Sequence, residues 1–368
     1  MKKMIVLFIV ALCVGAAAQA AVRPQIQLAI LLDTSGSMDG LIGQAKARLW
    51  KIVNELTSTK KDGQTPQLQV ALYEYGQDSL PASGGYLRCI VPLSADLDRI
   101  SEELFKLQTN GGQEYCGQVI AQAVSELQWN RNSNDLKMIF IAGNEPFTQG
   151  TIDYKKSCRE AIAGGIVVNT IFCGNYQEGL QGDWKAGADL ADGQYLAIDM
   201  NQTLPVIQAP QDKEISRLSQ ELNQTYLAYG TAGASGKARQ KEQDANAAGL
   251  SSEVAVQRAA AKAAPQYSNP AWDLVDAKKA GQVKLEEMSE AELPQEMKGM
   301  SAEKRNEYVA ALQGKREALQ KKIAGLNSER ERFVEGALKN QATAGTLDSA
   351  IIDALRQQAA RKNFLLKK

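Results

Sequence analysis

The chain has 368 residues, with 42 Lys and Arg against 42 Asp and Glu, and no histidine. A balanced charge leaves no electrostatic footprint for nucleic acid or an anionic membrane surface. The lack of histidine removes the Ser-His-Asp triad, the Cys-His pair and histidine-ligated zinc or iron, and the length suits two domains better than one.

Lys2 and Lys3 precede the apolar run from Met4 to Ala18, and Ala18-Gln19-Ala20 fits a small-x-small cleavage site. Residues 1–20 therefore read as a secretory signal peptide, with an apolar core shorter than a spanning helix needs. The expectation is an exported protein, periplasmic or envelope-associated or secreted, with no membrane span after cleavage. Removing Lys2 and Lys3 leaves 40 basic against 42 acidic side chains, a net of −2. Four cysteines remain after cleavage, Cys89, Cys116, Cys158 and Cys173. An even count in an exported chain permits disulfides. The preferred pairing is Cys158 with Cys173 and Cys89 with Cys116; four cysteines allow three connectivities, and free buried thiols are the alternative.

A buried strand is expected over about Gln25 to Leu32, ending at the loop Asp33-Thr34-Ser35-Gly36-Ser37-Met38. In an extended turn Asp33, Ser35 and Ser37 point the same way and offer three hard oxygen ligands to one point, an incomplete shell for a divalent cation. A helix follows from about Asp39 to Leu56, with Leu41, Ile42, Ala45, Leu49, Ile52, Val53 and Leu56 on one face. Gln67 to Tyr75 alternates as a strand, and Tyr86 to Val91 reads as its antiparallel partner. Ser94 is placed as the cap of a helix that turns Leu97, Ile100, Leu104 and Leu107 inward. After a glycine-rich connection at Thr109 to Gly117 come a helix (Gln118 to Trp129), a strand buried on both faces (Leu136 to Ala142), and the loop Gly143-Asn144-Glu145-Pro146-Phe147. Further helices over Tyr154 to Ala163 and Asp183 to Ala191 alternate with strands over Ile166 to Phe172 and Tyr195 to Ile198. Such alternation makes an α/β fold, a doubly wound and mostly parallel sheet, whose ligands sit at the carboxyl ends of the strands.

The composition changes near Pro210, where strand-like runs give way to Ala, Gln, Lys and Glu. Residues 21–209 are therefore assigned to the α/β domain, 210–300 to a helical or linker region and 301–368 to a helical hairpin or coiled coil. Gly230 to Gly249 reads as a linker or weak helix, and Pro265 to Val275 as an anchor through Tyr267, Trp272 and Leu274. From Ser301 a long helix spaces Val309, Leu312, Leu319, Ile323, Leu326, Phe333 and Ala337 by threes and fours, with Arg316 and Arg330 interrupting the seam. A helix docked on its own bundle is preferred over an intermolecular coiled coil, because Thr346 to Phe364 supplies an antiparallel return with Leu347, Ile351 and Leu355 inward. Self-association through these helices is the alternative.

With these elements in place, residues 24 to about 205 resemble the von Willebrand factor A domain. The resemblance is carried by DTSGSM at 33–38, the hairpin after the first helix, TNGGQE at 109–114 and AGNEPF at 142–147. TNGGQEYCG, AGNEPF and the helical tail look like a bacterial exported subfamily. The resemblance implies a metal-ion-dependent adhesion site, with Ser35 and Ser37 as direct ligands of Mg2+ or Ca2+ and Asp33 direct or through water. The family's second segment places a threonine where Gln113 stands, and its third a Thr-Asp pair where Ala142-Gly143 stand. Glu114 and Glu145 lie beside these departures and are the candidate replacements, completing the set Asp33, Ser35, Ser37, Glu114 and Glu145. The resemblance implies recognition, in which a partner's acidic side chain completes the metal shell and Tyr115, Phe147 and Tyr176 rim the surface. For each of these rings taken singly, packing is the preferred reading. The expected function is non-enzymatic: an exported protein that binds a protein partner in the cell envelope. The alternative is a structural or assembly protein of the envelope that uses its helical tail and carries a metal-free relic of the site. An enzyme using Asp33 and Glu114 is disfavoured, since no activated nucleophile or positioned base can be named.

Overall fold

The computed structural model describes residues 23–200, 207–338 and 347–365. The signal-peptide expectation at 1–20 lies outside the described residues. The first half alternates β1 (Gln25–Asp33), α1 (Asp39–Thr57), β2 (Gln67–Tyr75), β3 (Leu87–Ser94), α2 (Leu97–Lys106), α3 (Cys116–Glu126), β4 (Leu136–Gly143), α4 (Tyr154–Ala163), β5 (Val167–Cys173), α5 (Tyr176–Gln181), α6 (Trp184–Asp189) and β6 (Tyr195–Ile198). The six strands form one sheet in the order β3-β2-β1-β4-β5-β6. All neighbours are parallel except β2 and β3, which the alternation at 67–75 and 86–91 also implies. The cap of α2 is Asp96, whose carboxylate accepts from the Arg99 amide at 3.0 Å, while Ser94 supports it by accepting from the Asp96 amide at 3.0 Å.

Strand alternation sorts the core onto two faces. Leu28, Leu32, Val70, Leu72, Met138 and Phe140 pack against α1 and α2, whereas Leu31, Tyr73, Ile139, Ile141 and Val168 pack against α3, α4 and α6. Because Cys158 lies on the second face and Cys173 on the first, the sheet itself separates that preferred pair. Cys89 sits opposite Tyr73 in the β2–β3 ladder and Cys116 lies 3.8 Å from the Tyr75 hydroxyl. All four are free thiols, so the preferred disulfide pairing is corrected.

The second half is helical: α7 (Asp212–Asn223), α8 (Gly233–Leu250), α9 (Ser252–Ala263), α10 (Leu274–Lys279), α11 (Ala302–Leu338) and α12 (Leu347–Arg361). The stretch read as a linker or weak helix is the helix α8. Ile215, Leu218, Leu222, Val256, Leu319 and Ile323 form a core between α7, α9 and α11, with Tyr267 and Trp272 of the anchor segment buried in it. The arginines read as interruptions are buried ion-pair centres. Arg316 donates to Asp273 at 2.7 Å, Asp276 at 2.8 Å and the Thr225 carbonyl at 2.5 Å, and its guanidinium lies over the Tyr226 ring. Arg330 donates to Asp212 at 2.7 Å. Their partners lie on other segments of the same chain, so this face of α11 is occupied within the molecule as far as Arg330. Phe333 beyond it is exposed.

The expected antiparallel return has a different partner. Ile351, Ala354, Leu355, Ala359 and Phe364 join the α1 face of the sheet rather than the α7–α9–α11 core. Buried Gln358 donates to Asn169 of β5 at 2.6 Å, and the backbones of Leu365 and Lys60 pair. The α/β domain is thus completed by the last helix of the chain. The helical region is fastened to it at a second place. There Arg258 donates to Asp98 at 2.8 Å and lies over Trp50, Tyr267 donates to Asp98 at 2.5 Å, and Asn54 donates to Gln257 at 2.7 Å.

Candidate functional site

Asp33 is the last residue of β1, in register with Tyr75 at the end of β2, and β4 ends beside it at Gly143. The Asp33, Gly76, Glu114 and Gly143 segments therefore meet at the carboxyl edge of the sheet, where an α/β fold places its ligands. Asp33 is fully buried. Its Oδ1 accepts from the Ser35 amide at 2.8 Å, which tightens the turn, whereas its Oδ2 is buried with no hydrogen bond. Ser35 and Ser37 follow on the same side, their hydroxyls 3.4 Å apart.

The TNGGQE loop brings Glu114 to Asp33. Gly76 has φ +81° and admits both: a Cβ there would lie 2.8 Å from Asp33 Oδ1 and 3.0 Å from Glu114 Cγ. The Ser35 hydroxyl stands close to both carboxyl groups and favours their charged forms. Burial outweighs it and pushes Asp33 up to about 7, with a smaller contribution from Glu114 and Glu145. Glu114 is likewise pushed up to about 7 by burial first and by Glu145 next.

Glu145 stands further out and is half-buried. Gln149 donates to its Oε2 at 3.2 Å and accepts from the Glu114 amide at 3.1 Å, so one side chain ties the two glutamate loops together. Among the described residues, no three acidic or cysteine side chains are gathered tightly enough to hold a metal ion by themselves. A cation here has to be held by a mixed set, with Asp33 and Glu114 as carboxylates, Ser35 and Ser37 as hydroxyls, and water for the rest. Hard oxygen donors of this kind suit Mg2+ or Ca2+, and the orphaned Asp33 Oδ2 is the buried group in want of a counter-charge.

The space an aspartate would take at position 143 is filled from behind. A Cβ on Gly143 would lie 2.5 Å from the Tyr75 hydroxyl and 2.9 Å from Asp33 Oδ2, and that hydroxyl donates to the Ala142 carbonyl at 3.0 Å. Sequence reasoning did not single out Tyr75, although the strand end beside Asp33 was its signal. It also passed over Asn144, whose amide donates to the Ser37 hydroxyl at 3.2 Å and which lies inside AGNEPF. Of the expected rim, Phe147 is a core residue in edge contact with Trp184, so its packing reading is correct. Tyr115 is half-buried against Tyr86, and Tyr176 is exposed and packs on Tyr195.

The family model of the von Willebrand factor type A domain matches residues 27–181, a span that holds β1, the Asp33 loop, Glu114 and Glu145. Residues 27–181 of the chain form a von Willebrand factor type A domain. The A domain is followed by the helical region described above. The SpRpn10 A domain is similar at 15% identity and a TM-score of 0.38, covering 49% of this chain and 91% of that one. BatB from Bacteroides thetaiotaomicron is similar at 15% identity and a TM-score of 0.36, covering 47% and 90%. Proximal thread matrix protein 1 of the mussel byssus, solved with zinc in its MIDAS motif, is similar at 12% identity and a TM-score of 0.36, covering 49% and 43%. No curated protein matches the chain. A domains typically mediate protein interaction or adhesion, often with a divalent cation, and are usually non-catalytic. Among the described residues no helix is long and apolar enough to cross a membrane.

Proposed function

We propose that this is an exported, non-enzymatic binding protein whose A domain engages a protein partner in the cell envelope through Mg2+ or Ca2+ held by Asp33, Ser35, Ser37 and Glu114, with Glu145 at the rim. The observation that carries this reading is the Asp33 carboxylate, fully buried, with Oδ2 unpartnered and another carboxylate, Glu114, as its neighbour. A buried anion without a counter-charge is costly, and a bound cation offsets that cost. The helical region supports a binding role in a specific way. It is fastened to α1 and α2 through Trp50, Asn54 and Asp98, residues that take no part in the Asp33 loop. Export to the periplasm, the envelope or the medium is part of the proposal and rests on residues 1–20.

The test is proximity crosslinking in the native cell with wild type, Asp33→Ala and the exposed-site variant Ser37→Ala, each with and without chelator. A partner lost in both variants and on chelation supports the reading; a partner retained in all of them overturns it. A second reading, an envelope assembly protein with a metal-free site, is favoured by the Tyr75 hydroxyl and Asp33 Oδ2 closing on Gly143. Crosslinks unchanged by chelator but lost when the helical region is altered favour that reading.

A further inference from the structure

We propose that Asn144 is a further ligand of the cation, its side-chain carbonyl oxygen standing in for the aspartate that position 143 lacks. The inference rests on the cation reading above and adds to it a neutral donor from the loop after β4. That loop has to supply its ligand from the residue after Gly143, because Gly143 has no room for a side chain: a Cβ there would lie 2.5 Å from the Tyr75 hydroxyl and 2.9 Å from Asp33 Oδ2. Leu32 and Ala142 are register partners, so β1 and β4 leave the sheet side by side, one into the Asp33 loop and the other into Asn144.

Asn144 is turned toward the serines. Its Nδ2 donates to the Ser37 hydroxyl at 3.2 Å, and that hydroxyl lies 3.4 Å from the one on Ser35. Its Oδ1 is buried with no hydrogen bond, a state it shares with Asp33 Oδ2. Burying an amide oxygen without a partner is costly, and of two acceptors neither can satisfy the other. Both call for an electron-pair acceptor, and Ca2+ takes amide carbonyl oxygens alongside carboxylates and water. The backbone that carries Asn144 is fixed, because the Trp184 indole donates to the Glu145 carbonyl at 2.8 Å, while the Glu145 side chain is drawn to Gln149 at 3.2 Å. A neutral oxygen also has an advantage over an aspartate at this point: it adds no further like charge beside Asp33 and Glu114.

The experiment compares the chelator-treated full chain with Asn144→Ala and Asn144→Asp, using the urea midpoint in chelator to establish that each is folded. By calorimetry, Ca2+ should bind at least about tenfold more weakly to Asn144→Ala than to wild type. Asn144→Asp keeps an oxygen at the position but has no N–H for Ser37, and should bind Ca2+ no more weakly than wild type, since ligand charge raises affinity. Terbium(III) in place of Ca2+ gives a second readout: its luminescence lifetimes in H2O and D2O count the waters on the ion, and Asn144→Ala should add one. An unchanged Ca2+ affinity or an unchanged water count in Asn144→Ala overturns the proposal. So does equal weakening in Asn144→Asp, which would make the Nδ2 bond to Ser37, and not the oxygen, the part that matters. A wild type that takes up neither ion defeats the cation reading, and this inference with it.

Discussion

Replacing Asp33 by Asn should make the metal-free protein more stable at pH 8 and remove a specific pH dependence. In the folded chain burial raises the Asp33 carboxyl from its ordinary 3.8 to about 7. Between those values the folded state holds a proton that the unfolded state has released, so stability falls as pH rises. The contribution is fully present below pH 3.8 and is lost once the pH has passed about 7. Moving a pKa from 3.8 to about 7 corresponds to about 4 kcal/mol. Asn keeps the shape and can still accept from the Ser35 amide through its carbonyl oxygen, so its stability carries no such slope. Urea unfolding of both proteins in chelator, at intervals from pH 4 to pH 8, gives a difference curve in which groups titrating alike cancel. The variant should gain about 2–4 kcal/mol on the wild type across this range. With Ca2+ at a hundred times its Kd, the wild type alone should recover about 2.7 kcal/mol. A difference curve flat from pH 4 to pH 8, or an Asn variant destabilised at pH 8, would refute the claim that this carboxylate is buried without a counter-charge.

Three further outcomes follow from the packing. Arg316→Met removes the group that neutralises Asp273 and Asp276, both buried, and should cost about 3–5 kcal/mol in urea unfolding; a cost under about 1 kcal/mol would mean that these aspartates have another partner. Gln358→Leu leaves the buried Asn169 side chain without the donor it now has at 2.6 Å, and should cost about 1–3 kcal/mol and speed amide exchange in β5. Exchange unchanged in β5 would contradict the docking of α12 on the sheet. Cys89, Cys116, Cys158 and Cys173 should each react with a thiol reagent in denaturant without reductant, and the buried Cys116, Cys158 and Cys173 should be inert in the native state. Fewer than four reactive thiols at these positions in denaturant would restore a disulfide.

How far the sequence could be read depends on the range of the signal. Leu28 to Asp33, the alternation at 67–75 and the apolar run at 136–142 are local patterns, and they place every strand around the Asp33 loop. The destination of α12 is not local. The spacing of Ile351 and Leu355 says that one face is buried, and says nothing of which surface covers it; the sheet wins through Asn169 and Gln358, two polar residues 189 positions apart. Arg316 and Arg330 break an apolar seam in one dimension, yet their carboxylates lie 43, 40 and 118 positions away. At the site, Glu114 was legible because it sits one residue from the expected ligand position. The Tyr75 hydroxyl beside Gly143 was not, because it reaches that point across β1, the strand between β2 and β4.

The central claim is that Asp33, Ser35, Ser37 and Glu114 hold a divalent cation, and calorimetric titration of the chelator-treated full chain with Ca2+ and with Mg2+ tests it most directly. One saturable site per chain is expected, absent in Asp33→Asn and at least about tenfold weaker in Glu114→Gln. Uptake that is absent in the wild type, or that survives unchanged in Asp33→Asn, would contradict it.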